Sequence, residues 1–118
     1  MNNNEIKIEK LSETSLGWNG SKLPAYPAGQ PVVTILKYTF PPHVKLPSHY
    51  HTIINCGVVL SGELTVVAQD GTEHTFRKGE PVVEMVGGIH YGENRGNEPV
   101  ELIMFYAGTK DTPLSVKV

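Results

Sequence analysis

The chain has 118 residues, enough for one domain whose core forms without disulfides or a structural metal. Ten basic against twelve acidic residues leave a formal charge of −2, which gives no electrostatic case for nucleic acid or an anionic membrane surface. The lone Cys56 excludes an intrachain disulfide, no apolar run approaches the roughly 18 residues of a membrane span, and the polar N-terminus lacks a signal peptide's apolar stretch, so a cytoplasmic protein is expected.

Residues 1–30 are polar and rich in Gly and Pro, with one Trp, Trp18. They read as an N-terminal arm with one short strand around Ile6 to Leu11. Beyond it, Gly and Pro punctuate short apolar runs, as in an all-β protein with tight turns. Val32 to Phe40 is rich in β-branched and aromatic residues and ends at Pro41-Pro42. Ile53 to Leu60 follows, then the Ser61-Gly62-Glu63 turn and Leu64 to Ala68. Asp70-Gly71 marks a hairpin into His74 to Phe76. Lys78-Gly79-Glu80 turns into Pro81 to Val86, which Gly87-Gly88 breaks before Ile89 to Glu93. Val100 to Tyr106 is the last strand read from the pattern. Strands at intervals of about ten residues imply a sandwich or barrel, and periodicity alone leaves immunoglobulin-like, jelly-roll and OB topologies open. The barrel is assigned to 31–113 and a tail to 114–118.

The densest polar feature is Ser48-His49-Tyr50-His51. Two His at i and i+2 on a strand share a face and can share one metal. Residues 43 to 62 place His49, His51, Asn55 and Gly62 at the spacing of the first cupin motif, G-x5-H-x-H-x3,4-E-x6-G. Residues 79 to 94 place Gly79, Gly87, His90 and Asn94 at the spacing of the second, G-x5-P-x-G-x2-H-x3-N. The chain therefore resembles the small single-domain microbial cupins over about residues 31–108. Three positions depart from the pattern: His43 stands for the first Gly, Met85 for the Pro, and Asn55 for the metal-binding Glu.

The resemblance implies an all-β fold, the double-stranded β-helix or jelly-roll barrel. It also implies that His49, His51 and His90 converge inside the barrel on one divalent transition metal: Fe, Mn, Ni, Zn or Cu. Imidazole suits all five, and three neutral ligands leave open positions for water, dioxygen or a chelating substrate. Asn55 offers only a neutral amide oxygen, a weak or absent ligand. Losing the motif carboxylate would make the site one charge more positive and favour an anionic or enolate-forming chelator. Glu84, alternating with Val82 and Val86, is the candidate catalytic carboxylate: inward it would be a ligand or a base, outward a solvated surface residue. Tyr38 and Tyr106 are pocket walls or ordinary barrel packing. Tyr50 and Tyr91 should point away from the histidines beside them, and Cys56 away from Asn55. His43 and His74 fall outside the motif pattern.

The function expected from this pattern is a small metalloenzyme acting on a small anionic or chelating organic molecule, with three-His dioxygenases as the nearest type. The alternative is a non-catalytic module that binds or senses a small ligand. No nucleic-acid or membrane partner is expected. Ile6, Ile8, Leu11, Leu16 and Trp18 exceed what a small barrel can absorb, and this points to a homodimer that pairs or exchanges the arms, the competing picture being an arm folded back on its own barrel.

Overall fold

In the computed structural model, which describes residues 4–118, the chain forms nine β-strands and, among the described residues, no helix. They are β1 Pro31–Phe40, β2 His49–Tyr50, β3 Ile54–Ser61, β4 Glu63–Ala68 and β5 Glu73–Arg77, followed by β6 Pro81–Val83, β7 His90–Glu93, β8 Val100–Thr109 and β9 Val116–Lys117. One sheet runs β1-β8-β3-β6 and the other β5-β4-β7-β2-β9, with antiparallel neighbours throughout. The two sheets face each other across one core, the double-stranded β-helix expected from the sequence.

Strand β8 organises the first sheet. Its ten residues alternate strictly between buried and half-buried, the period of a strand with one face on the core. It pairs with β1 along its whole length and with β3 on the other side. Leu102, Met104 and Tyr106 point inward from it, to meet Phe40, Leu64, Val66 and Val82. The β3–β4 turn depends on Gly62, whose φ is 76° and where a Cβ would lie 2.6 Å from the Pro99 carbonyl oxygen.

Three segments differ from the expected layout. No strand forms at Ile6 to Leu11, and Ile6 and Ile8 remain 88% and 91% exposed. Four residues further on, the arm folds back on its own barrel. Leu16 bridges Lys22, Gly17 N donates to Ser21 O (2.8 Å), and Trp18 N donates to Val83 O (2.8 Å), which hangs this turn on the edge of β6. Trp18 thereby packs edge-on against Phe76, with ring centroids 6.2 Å apart. Second, β6 stops at Val83 rather than Val86. Third, the segment 114–118 carries β9, which pairs with β2 through His49↔Lys117 and Tyr50↔Val116. Among the described residues, no helix is long and apolar enough to cross a membrane.

Candidate metal centre

Strand β2 supplies His49, His51 follows one residue beyond its end, and β7 opens with His90, the register partner of His49. The three imidazoles sit with centroids 4.6–5.0 Å apart, and one nitrogen from each lies within 4.8 Å of the others. His51 and His90 are buried and His49 is half-buried.

Each ring is held the same way. His49 Nδ1 donates to Pro47 O (2.8 Å), His51 Nδ1 to Leu114 O (2.9 Å) and His90 Nδ1 to Gly88 O (2.8 Å). A carbonyl oxygen only accepts, so each Nδ1 carries a proton, and in the neutral ring each Nε2 keeps its lone pair. Backbone carbonyls orient metal-binding histidines in this way. His90 Nε2 is also one of the buried side-chain atoms without a hydrogen-bond partner. In the neutral ring this buried acceptor faces Glu84 Oε2 with no donor between them, and a cation there, a proton or a metal ion, resolves the cost. The residues fit a metal: this three-His cluster can hold one.

Glu84 points inward, 7% exposed. Its Oε1 accepts from Trp18 Nε1 (2.7 Å), and its Oε2 lies 3.4 Å from His90 Nε2. The β3–β6 register explains this placement. Cys56 pairs with Val83 and Gly57 with Val82, so Glu84 falls opposite Asn55, and Glu84 N donates to Asn55 O (3.0 Å). Residues directly opposite on antiparallel strands share a face. Asn55 is fully buried; its Nδ2 donates to Ile53 O (3.2 Å) and its Oδ1 has no partner. A carboxylate thus stands one strand across from the position where the first motif has its Glu. The extra positive charge expected from Asn55 is thereby offset.

Burial pushes the His49 and His51 pKa values below the ordinary 6.5, more than the carbonyls at Pro47 and Leu114 raise them. Burial also pulls His90 down, but the contact with Glu84 and its charge outweigh it, and His90 lies above the ordinary value. Burial raises Glu84, yet His90, Trp18 and His51 together hold it below the usual carboxylate range. Tyr106 is pushed up by burial and by its hydroxyl–hydroxyl bond with Tyr38.

Tyr38 and Tyr106 both line the cavity in front of His49, His51 and Glu84, beside Phe40, Leu46, Leu64, Val66, Leu102 and Met104. The room left inside is about 50 Å³. A water needs about 10–15 Å³, so this space has room for only a few heavy atoms. Tyr91 lies outside it, beneath Lys45 Nζ at 4.8 Å from the ring centroid. Cys56 opens onto an outer groove with Glu9, Leu11 and Tyr26, its thiol pKa raised by burial. His43 is exposed and bonded to Asn97. Its φ of 62° explains why the motif prefers Gly at that position. Asn94 is structural: its Nδ2 donates to the carbonyls of Phe40, Pro41 and Glu98, and its Oδ1 accepts from Gly96 N.

The sequence matches the cupin domain family over residues 36–106. The chain belongs to the cupin family. Solved structures with the same fold include an oxalate oxidase in complex with the substrate analogue glycolate (24% identity, TM-score 0.62, 73% of this chain and 46% of that one). They also include a conserved protein with a double-stranded beta-helix domain from Klebsiella pneumoniae (19%, 0.63, 78% and 83%) and the DMSP lyase DddQ from Ruegeria pomeroyi (17%, 0.63, 73% and 43%). This cupin spans less than half of the oxalate oxidase and of the lyase. No curated protein sequence matches it.

Two features of the site escaped the sequence reading. Trp18, in the arm, reaches Glu84, and the Leu114 carbonyl, in the tail, orients His51. The only sequence signal for Trp18 was a lone indole in the turn-forming run Gly17-Trp18-Asn19-Gly20. A backbone carbonyl leaves no sequence signal.

Proposed function

We propose that this cupin is a small metalloenzyme that holds one divalent transition metal through His49, His51 and His90 and acts on a small anionic or chelating organic molecule. The observation that carries the reading is the common wiring of the three rings, each Nδ1 on a backbone carbonyl and one freed Nε2 buried without a partner. The bound ion would supply Lewis acidity and, if redox-active, a place to activate dioxygen. The protein's own groups would do the rest. The apolar walls exclude bulk water, Tyr38 and Tyr106 present hydroxyls, and Glu84 brings a buried carboxylate against the histidine cluster. A divalent ion with one nearby carboxylate leaves the site net positive, which suits a compact organic anion. The glycolate held by the structurally similar oxalate oxidase is of that size and charge. The assembly that goes with this reading is a homodimer.

Anaerobic loading with Fe(II), followed by oxygen consumption on a panel of small hydroxy acids, dicarboxylic acids and enolisable diketones, tests the reading. Turnover of one panel member, lost together with most of the metal in His49→Ala, His51→Ala or His90→Ala and retained in metal content by Asn55→Ala, is expected. Metal that survives all three His→Ala changes overturns the site. Tight ligand binding with no turnover under any metal favours the binding or sensory module instead.

A further inference from the structure

The arm was read as a pairing element, and its turn at residues 15–23 also enters the site. Trp18 N is bonded to Val83 O, Asn19 Nδ2 contacts Met85 Sδ (3.6 Å), and Trp18 Nε1 donates to Glu84 Oε1. Gly17 is buried flat against the following backbone: a Cβ there would lie 3.0 Å from Met85 Cα and 3.2 Å from Glu84 O. The turn thus grips both residues that follow β6.

The carboxylate it grips has two oxygens in different situations. Oε1 accepts from the indole N–H (2.7 Å) and, more weakly, from Met85 N (3.3 Å). Oε2 is left facing the orphaned Nε2 of His90 at 3.4 Å. Two donors about 2.1 Å from one ion, at tetrahedral or octahedral angles, lie about 3.0–3.4 Å apart. The observed separation is therefore what two ligands of one ion would have. Asn55, whose amide oxygen is a poor ligand, stands directly across from Glu84 on the neighbouring strand.

We propose that Glu84 takes the place of the missing first-motif carboxylate as a metal ligand, and that Trp18 is the positioning residue that turns Oε2 toward the ion by holding Oε1. The inference rests on the metal reading above. It makes the N-terminal arm a component of the metal centre, whether or not it also contributes to an interface. An indole N–H fixes one oxygen without adding charge, so the carboxylate binds through the other with its full negative charge.

The test uses Co(II) as the probe, added to the metal-free full chain and followed by visible absorption. Glu84→Gln should weaken Co(II) binding about ten- to 100-fold and change the visible band, because a ligand is lost. Trp18→Phe keeps an aromatic ring against Phe76 but removes the N–H. It should weaken binding about three- to tenfold and shift the band in the same direction. The double variant should bind no more weakly than Glu84→Gln, since Trp18 acts only through Glu84. Gly17→Val leaves the indole intact but pushes the turn off the backbone, and should reproduce Trp18→Phe. In the unaltered protein, which has one Trp, the single indole N–H resonance should move on Zn(II) loading and in metal-free Glu84→Gln. Wild-type Co(II) affinity and spectrum in Trp18→Phe and Gly17→Val, or losses that add in the double variant, overturn the proposal. A wild-type chain that takes no Co(II) overturns the metal reading and this proposal together. Co(II) lost in His90→Ala but indifferent to Glu84→Gln and Trp18→Phe overturns the proposal alone.

Discussion

His49 and His51 are less basic than free imidazole because burial penalises their charged form, whereas His90 is more basic because Glu84 faces it. In the metal-free protein these shifts act on opposite sides of about pH 6.5, the ordinary imidazole value. Below it, the unfolded chain takes up protons that folded His49 and His51 refuse, so acid favours unfolding. Glu84 adds to this below its ordinary 4.5, because its stabilising charge is lost as pH falls through its depressed folded value. Above 6.5, the folded chain releases the proton that His90 holds against Glu84, and that contribution disappears as pH rises through the raised value. Thermal unfolding in the presence of a chelator should therefore show a midpoint that peaks near pH 6.5 and falls on both sides. Glu84→Gln should flatten the alkaline side. A midpoint that climbs steadily past pH 8 would contradict this balance. The three histidines were legible through the two motifs that carry the resemblance, whereas strand alternation left Glu84 open between an inward and an outward side chain, and β6 ends one residue before it. The pairing of Glu84 with Asn55 was not legible, because it depends on the register between segments about thirty residues apart in the chain.

The longer strands announced themselves through β-branched runs closed by Gly and Pro, and β1, β3, β4 and β8 lie close to where those runs lie. Two-residue strands have no period to detect, so β2 and β9 could not be read as a pair. Yet that pair positions the site: β9 flanks His49 and Tyr50, and the chain leading into it brings the Leu114 carbonyl to His51 Nδ1. Ending the chain after Pro113 removes both. Metal affinity should fall about ten- to 100-fold, the usual cost of losing the group that orients a histidine ligand. Leu114→Ala keeps the carbonyl and loses only packing, so it should retain most of that affinity. Calorimetric titration of both variants with Zn(II) would check this. Equal losses would mean that packing of the Leu114 side chain, rather than its carbonyl, sets His51.

At the scale of the molecule, one sheet edge is covered and the other is open. The turn carrying Trp18 lies along β6, while β1 ends the same sheet with a long edge, and Val33 and Ile35 on it are 63% and 65% exposed. Long apolar edge strands invite pairing with another chain. The strand-free segment 6–13 carries Ile6 and Ile8 in an alternation that suits such pairing, and both side chains are exposed. A two-fold pair in which each arm lies on the other subunit's β1 would hide both surfaces with one symmetric contact. The full chain, 12.9 kDa as a single copy, should then scatter light as a dimer of about twice that mass. Deleting the arm would be a poor test, because it would also remove Trp18. Ile6→Glu with Ile8→Glu leaves residues 15–23 in place and should shift the dimer toward monomer while preserving metal content. Ile35→Glu should do the same from the other side of the contact. A full chain that is monomeric at about 100 µM, the range in which weak association shows itself, would overturn the dimer. A dimer untouched by the arm changes but broken by Ile35→Glu would place the interface on the barrel wall alone.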